Sequence, residues 1–129
     1  MRLLLDTHVL LWAVLEPHKL SSHLRGTLED SRHELLVSAA SAWEIATKWR
    51  LGKLAHAASV VHNYHQAIHG LAATELPISG EAALRAGLWQ VDHRDPFDRI
   101  LAAQAAQQEL VLATTDPAFS LFAGVERLS

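Results

Sequence analysis

The sequence predicts an α/β sandwich built around a mostly parallel sheet. Three observations lead there. Short apolar runs of strand length stand at 3–5, 35–37 and 110–113. Stretches with helical spacing separate them. No Asn-Gly pair marks a tight hairpin between them. Strands that alternate with helices are joined by crossovers and so lie parallel. Strands covered on both faces read as unbroken apolar runs rather than alternating ones. With 129 residues the chain is expected to form one domain spanning 1–129.

The elements follow in order. Leu3, Leu4 and Leu5 form the first strand, which stops at Asp6. Val9 to Leu15 is an apolar helix, capped by Asp6 or Thr7 and closed before Pro17. A charged surface helix is expected at about 23–31, with Leu24 and Leu28 four apart. Leu35, Leu36 and Val37 are the second strand, and a helix then runs to Gly52. Residues 57–70 read as one helix ending at Gly70. Residues 73–78 read as an edge strand, given the polar content and Pro77. A short helix opens at Ser79 and runs to Leu88. After a polar loop at 91–96, residues 97–108 form another helix. Residues 110–115 are the clearest buried strand, and 125–128 can add a last short one.

Composition excludes several classes. Half of the residues are hydrophobic, which argues against disorder. The net charge of −3 provides no global attraction for nucleic acid, so any such contact needs a local patch. Cysteine is absent, which rules out disulfides and thiolate metal sites and fits a reducing compartment. The start is not a signal peptide, since its apolar run is three residues long. No apolar stretch has membrane-spanning length. A soluble, cytoplasmic protein with no membrane partner is the expectation.

Four acids fall where strands end or helices begin: Asp6, Glu44, Asp98 and Asp116, with Asp95 close by. Each has an ordinary structural explanation. Asp6 can cap a helix, Ser41 and Glu44 have capping-box spacing, and Asp95-Pro96 and Asp116-Pro117 are cap-plus-proline pairs. Capping does not explain why acids recur at these places, because Ser, Thr and Asn cap as well as Asp. An acid past a buried strand sits at the carboxyl edge of the sheet, where open α/β folds bind ligands. Gathered carboxylates suit Mg²⁺ or Mn²⁺, hard ions that take oxygen ligands. Such ions can activate a nucleophile and stabilise phosphodiester displacement.

The motifs resemble a known family. Leu-Leu-Leu-Asp6-Thr-His, Val37-Ser-Ala-Ala-Ser-Ala-Trp-Glu44-Ile, His93-Arg-Asp-Pro-Phe-Asp98-Arg-Ile-Leu-Ala-Ala-Gln-Ala and Leu112-Ala-Thr-Thr-Asp116 are similar to the PIN-domain ribonucleases. More narrowly, they resemble the VapC-type toxins of bacterial toxin–antitoxin systems. The likeness runs from the first residues to about Phe119. Each motif is short; their order and spacing carry the specificity.

The resemblance implies a three-layer sandwich with a four- to five-stranded sheet flanked by helices. It implies a Mg²⁺- or Mn²⁺-dependent endoribonuclease, a homodimer, neutralised by a small antitoxin. Asp6, Glu44, Asp98 and Asp116 match the family's acids and are the expected metal-binding and catalytic residues. Cleavage is expected to use a metal-bound water. Asp95 is expected to support the site or cap the helix. Thr114 or Thr115 can add a hydroxyl near the metal or phosphate, or serve only as strand residues. The antitoxin is expected to lie along the apolar surface of the first helices.

Lys48 stands four residues after Glu44, so it can pair with it or contact RNA. Arg94 and Arg99 flank the third motif and are further phosphate-contact candidates. Trp43, Trp49 and Trp89 can stack on bases, but packing is the preferred reading for all three. His62, His65 and His69 would share one face of a continuous helix and so form a zinc candidate, though no acid accompanies them there. The competing functions are a catalytically silent PIN-like binding module and an Asp-nucleophile phosphatase. The phosphatase usually needs a second Asp two residues after the first, where this chain has His8.

Overall fold

A computed structural model describes residues 1–129. Five strands form one sheet: β1 (Arg2–Leu5), β2 (Glu34–Ser38), β3 (Ala73–Leu76), β4 (Val111–Ala113) and β5 (Glu126–Leu128). The spatial order is β3-β2-β1-β4-β5, and every neighbouring pair is parallel. The sheet is therefore wholly parallel, with β3 at an edge as its composition predicts.

Seven α-helices flank it: α1 (Thr7–Leu15), α2 (Ser22–Glu29), α3 (Ala39–Arg50), α4 (Ala58–His62), α5 (Tyr64–Gly70), α6 (Gly80–Leu88) and α7 (Pro96–Gln108). None is long and apolar enough to cross a membrane. Strand pleating sends alternate side chains to opposite faces. Leu3 and Leu5 thus enter a core with Val9, Leu10 and Leu24, whereas Leu4 enters a second core with Leu101, Leu112 and Phe119. All three leucines of β1 are fully buried. Two cores on two faces of one sheet make the three-layer sandwich.

Local chemistry sets most element ends. Ser21, Ser38 and Ser79 cap α2, α3 and α6 through their hydroxyls. Asp95 caps α7 with Pro96 following, the arrangement its sequence predicts. Gly52, just past α3, has φ +77°, where a side chain would be strained.

Two expectations change. Residues 57–70 do not form one helix. A 3₁₀ turn over Ala55–Ala57 precedes α4, and the chain leaves helical geometry at Asn63 (φ −132°, ψ 43°) before α5 begins. Amphipathic spacing survives such a break, so periodicity alone does not reveal it. His62 consequently lies on α4 and His65 and His69 on α5. The zinc-binding face loses its continuous helix. The rings of His62 and His65 lie edge-on to Trp49 and Tyr64 instead. The strand expected over 110–115 is also shorter, because Thr114 turns out of the regular ladder with only its N–H bonded to the Leu128 carbonyl (3.0 Å).

A groove of about 380 Å³ lies beside the first helices, lined by Ala13, Leu20, Leu28 and Leu71 on one hand and by Arg25, Glu29, Asp30 and His33 on the other.

Candidate functional site

The chain builds the sheet outward from β1 in both directions, to β2 and β3 on one side and to β4 and β5 on the other. The order reverses between β1 and β4, the crevice where open parallel sheets bind ligands. Helices α1 and α3 follow β1 and β2, so their N-termini lie at the carboxyl edge. Helix α7 runs back to feed β4, so its N-terminus lies there too. This topology carries Asp6, Glu44 and Asp98 to one edge from three distant parts of the sequence.

Asp6 stands at the crevice itself. Its Oδ1 accepts from the Val9 N–H at 2.8 Å and caps α1. Its Oδ2 accepts from the Thr114 hydroxyl at 2.5 Å, across the switch from β1 to β4. The same hydroxyl accepts from the Asp116 N–H at 3.0 Å. Capping and membership of the site thus coexist in one carboxylate. Burial pushes the Asp6 carboxyl above its ordinary value, and the charge of Glu44 adds to this; the Thr114 and Val9 hydrogen bonds and His8 oppose it.

Glu44 is 4% exposed. Ser38, not Ser41, caps α3, so the capping-box reading of Glu44 is replaced. Its Oε1 accepts from the Thr7 hydroxyl at 2.5 Å. Thr7 lies 3.0 Å from the Ser41 hydroxyl. Having given its one proton to the carboxylate, it accepts there from Ser41. Glu44 Oε2 pairs with Lys48 one turn along the helix. Burial draws the Lys48 ammonium down, but Glu44, Asp95 and Asp98 outweigh it and the net direction is up. Glu44 is therefore oriented by Thr7 and neutralised by Lys48.

Asp98 sits in the first turn of α7, and its Oδ2 lies 2.8 Å from His93 Nε2. Its carboxyl is pushed up to about 6, first by burial and then by the charges of Asp95 and Glu44, with His93 opposing. Asp95 Oδ1 accepts from the N–H groups of Phe97 (2.9 Å) and Asp98 (3.3 Å). It both caps the helix and adds negative charge beside Asp98.

The cations divide. Lys48 belongs to the cluster, and Arg94 is exposed. Arg99 is turned inward. Its guanidinium donates to the carbonyls of Ala86 (2.7 Å), Val91 (3.5 Å), His93 (2.7 Å) and Trp89. That corrects its reading as a phosphate contact: it clamps the loop that presents His93 to Asp98. Asp116 is exposed and accepts from the Ala118 N–H at 2.9 Å. Its link to Asp6 runs through Thr114. Thr115 is exposed beside it.

The donor set is one of hard oxygens. No three carboxylate or imidazole groups converge as a ready cage for an ion. Mg²⁺ does not need one, since it keeps several waters and takes one or two protein carboxylates. Glu44, Asp95 and Asp98 surround Lys48, and burial first, with the charges of Asp95 and Glu44 added to it, raises the Asp98 carboxyl. These residues fit a divalent cation in chemistry and in charge.

Thr7, Ser41 and His93 are not marked as site residues by their sequence positions. Thr7 follows Asp6 directly, and His93 stands five residues before Asp98. Nothing local marks either as a partner of a buried acid.

A family model described as "PIN domain" matches residues 3–125. Ribonuclease VapC16 of Mycobacterium tuberculosis (strain ATCC 25618 / H37Rv) is 60% identical over 30 residues, which is 23% of this chain and 21% of that protein. The chain thus spans about a fifth of the curated relative it matches. Among solved structures, VapBC2 from Rickettsia felis bound to a DNA fragment from its promoter aligns with TM-score 0.68 at 13% identity, covering 99% of this chain and 98% of that one. VapBC-1 from nontypeable Haemophilus influenzae aligns with TM-score 0.65 at 18% identity, covering 100% and 98%. FitAcB from Neisseria gonorrhoeae aligns with TM-score 0.60 at 20% identity, covering 98% and 96%. At these identities the likeness is one of fold.

Proposed function

The chain belongs to the PIN-domain family, and from that premise we propose that it is a VapC-type toxin, a Mg²⁺- or Mn²⁺-dependent endoribonuclease neutralised by a cognate antitoxin. The observation that carries this reading is that Glu44 lies within charge range of both Asp6 and Asp98 at the carboxyl edge, where burial first and neighbouring charge second push Asp98 up to about 6. A structural set of caps has no use for that repulsion, whereas a cation relieves it.

Asp6, Asp98 and Glu44 would hold the ion, with Asp116 completing the set from the end of β4. A bound ion supplies positive charge to the non-bridging oxygens of an RNA phosphodiester and acidifies water. The chain's own residues prepare the site. Thr114 and the Val9 N–H fix both oxygens of Asp6. Thr7 orients Glu44. His93 hydrogen-bonds Asp98 and fixes the orientation of its carboxyl group. Lys48 keeps a positive charge beside the acids for the RNA backbone.

The homodimer is carried over from the family resemblance alone, and the antitoxin from that resemblance with support from the neighbours VapBC2, VapBC-1 and FitAcB. The groove beside α1 and α2, part apolar and part charged, supports an antitoxin segment laid along those helices. One domain accounts for residues 1–129.

The test is incubation of the purified chain with transfer, ribosomal and messenger RNA in Mg²⁺, Mn²⁺ or chelator, followed by end mapping. Cleavage is expected with metal only and should leave 5′-phosphate and 3′-hydroxyl ends. Asp6→Asn, Asp98→Asn and Asp116→Asn should each abolish it. Full metal-dependent cleavage by all three variants would sink the assignment.

A further inference from the structure

Trp43 does not pack as the sequence suggests. It is 60% exposed, whereas Trp12, Trp49 and Trp89 are all partly buried. Burying an indole is strongly favourable, so an exposed one on a folded helix invites a functional explanation. The ring is also braced. Phe97 meets it edge to face, with centroids 4.8 Å apart and planes at 81°. Trp43 directly precedes Glu44 on α3, and Phe97 directly precedes Asp98 on α7. The aromatic pair therefore bridges the two helices that bring those acids to the carboxyl edge.

We propose that Trp43, braced by Phe97, is a stacking platform for an unpaired nucleobase of the RNA substrate, next to the phosphodiester that the acidic site would engage. This rests on the nuclease reading above and adds to it the residue that would hold the base beside the scissile phosphate.

Two observations favour a base over a protein partner. The helix face that continues from Trp43 is Ala46, Thr47 and Arg50, small or cationic rather than apolar. A lone indole leading to a guanidinium does not make the apolar centre of a protein interface. It does match single-stranded nucleic acid, which offers a flat base followed by a phosphate. Charge is the second. The net charge is −3, and Glu44, Asp95 and Asp98 surround Lys48, so phosphate attraction is weak here. Stacking needs no such attraction and accepts any base.

The test compares wild type, Trp43→Ala and Trp43→Phe. KM and kcat are measured on a short unstructured oligoribonucleotide with metal, and Kd for the same oligomer in chelator. Trp43→Ala should raise KM and Kd by roughly 5- to 100-fold with kcat nearly unchanged, and Trp43→Phe should restore most of the loss. An abasic sugar–phosphate oligomer should bind wild type and Trp43→Ala alike, and the oligomer's affinity should fall only modestly with added salt. Equal KM and Kd in wild type and Trp43→Ala would overturn the platform. So would a change in oligomeric state of Trp43→Ala by sedimentation, which would make the ring a contact between copies. Wild type that binds the oligomer without cleaving it would defeat the nuclease reading alone, and the binding comparison would still decide the platform.

Discussion

Replacing Asp98 by asparagine should make the metal-free protein more stable. The Asp98 side chain is 18% exposed, and its carboxyl is raised from 3.8 to about 6. That rise corresponds to about 3 kcal/mol held against the ionised form in the folded state. The folded chain binds this proton more tightly than the unfolded chain does. Its stability therefore falls as pH rises from about 4 to about 6 and stays lowered above that. The asparagine amide carries no charge to repel Asp95 and Glu44 and can still hydrogen-bond His93. In chelator near neutral pH, urea denaturation should show Asp98→Asn more stable by about 1 to 3 kcal/mol. The gap should close near pH 4, where wild-type Asp98 is protonated. Saturating Mg²⁺ should close or reverse the gap, because wild type gains more binding energy, about 2.7 kcal/mol at a hundred times Kd. A variant less stable than wild type in chelator, or a gap that ignores pH, would refute the reasoning that burial and neighbouring charge raise Asp98.

Other perturbations test the supports of the site. Thr7→Val keeps the shape but leaves Glu44 Oε1 without its donor, so denaturation should show a loss of about 1 to 3 kcal/mol that Thr7→Ser largely restores. Lys48→Met leaves a buried carboxylate unpaired and should cost about 2 kcal/mol, with much of the loss recovered when Glu44→Gln is added. Arg99→Lys retains charge but cannot reach four carbonyls with one ammonium. Amide exchange in residues 86–93 should speed up, and metal affinity should weaken as His93 loses its place beside Asp98.

Much of the fold was legible because its signals are local. An apolar run stopped by Asp6, a cap followed by Pro96 and a serine before each of three helices act over a few residues. The break at Asn63 was not legible. Its flanks keep helical spacing, and the departure lies in one residue's backbone angles. The exposure of Trp43 was hidden for a related reason. An indole's composition argues for burial, but its exposure depends on which neighbours reach it, and here the Phe97 edge is the aromatic contact the ring makes.

The same division holds within the site. By itself, the sequence determined that acids follow the first strand, enter two helices and follow the fourth strand. It also determined that some of them cap, since an Asp or Ser beside a helix start needs only its own backbone. The tertiary structure decided which of these acids meet, and on what terms. Asp6 and Thr114 are 108 positions apart, yet they bond at 2.5 Å because β1 and β4 are neighbours in the sheet. Thr7 reaches Glu44 across 37 positions because α1 and α3 both begin at the carboxyl edge. Arg99 turns to carbonyls rather than solvent because α6 lies alongside α7 and the loop joining them closes over it. Pairings of this kind depend on the packing of whole elements, and that packing is set by the two hydrophobic cores and the small alanine cluster between α6 and α7 rather than by the residues that pair.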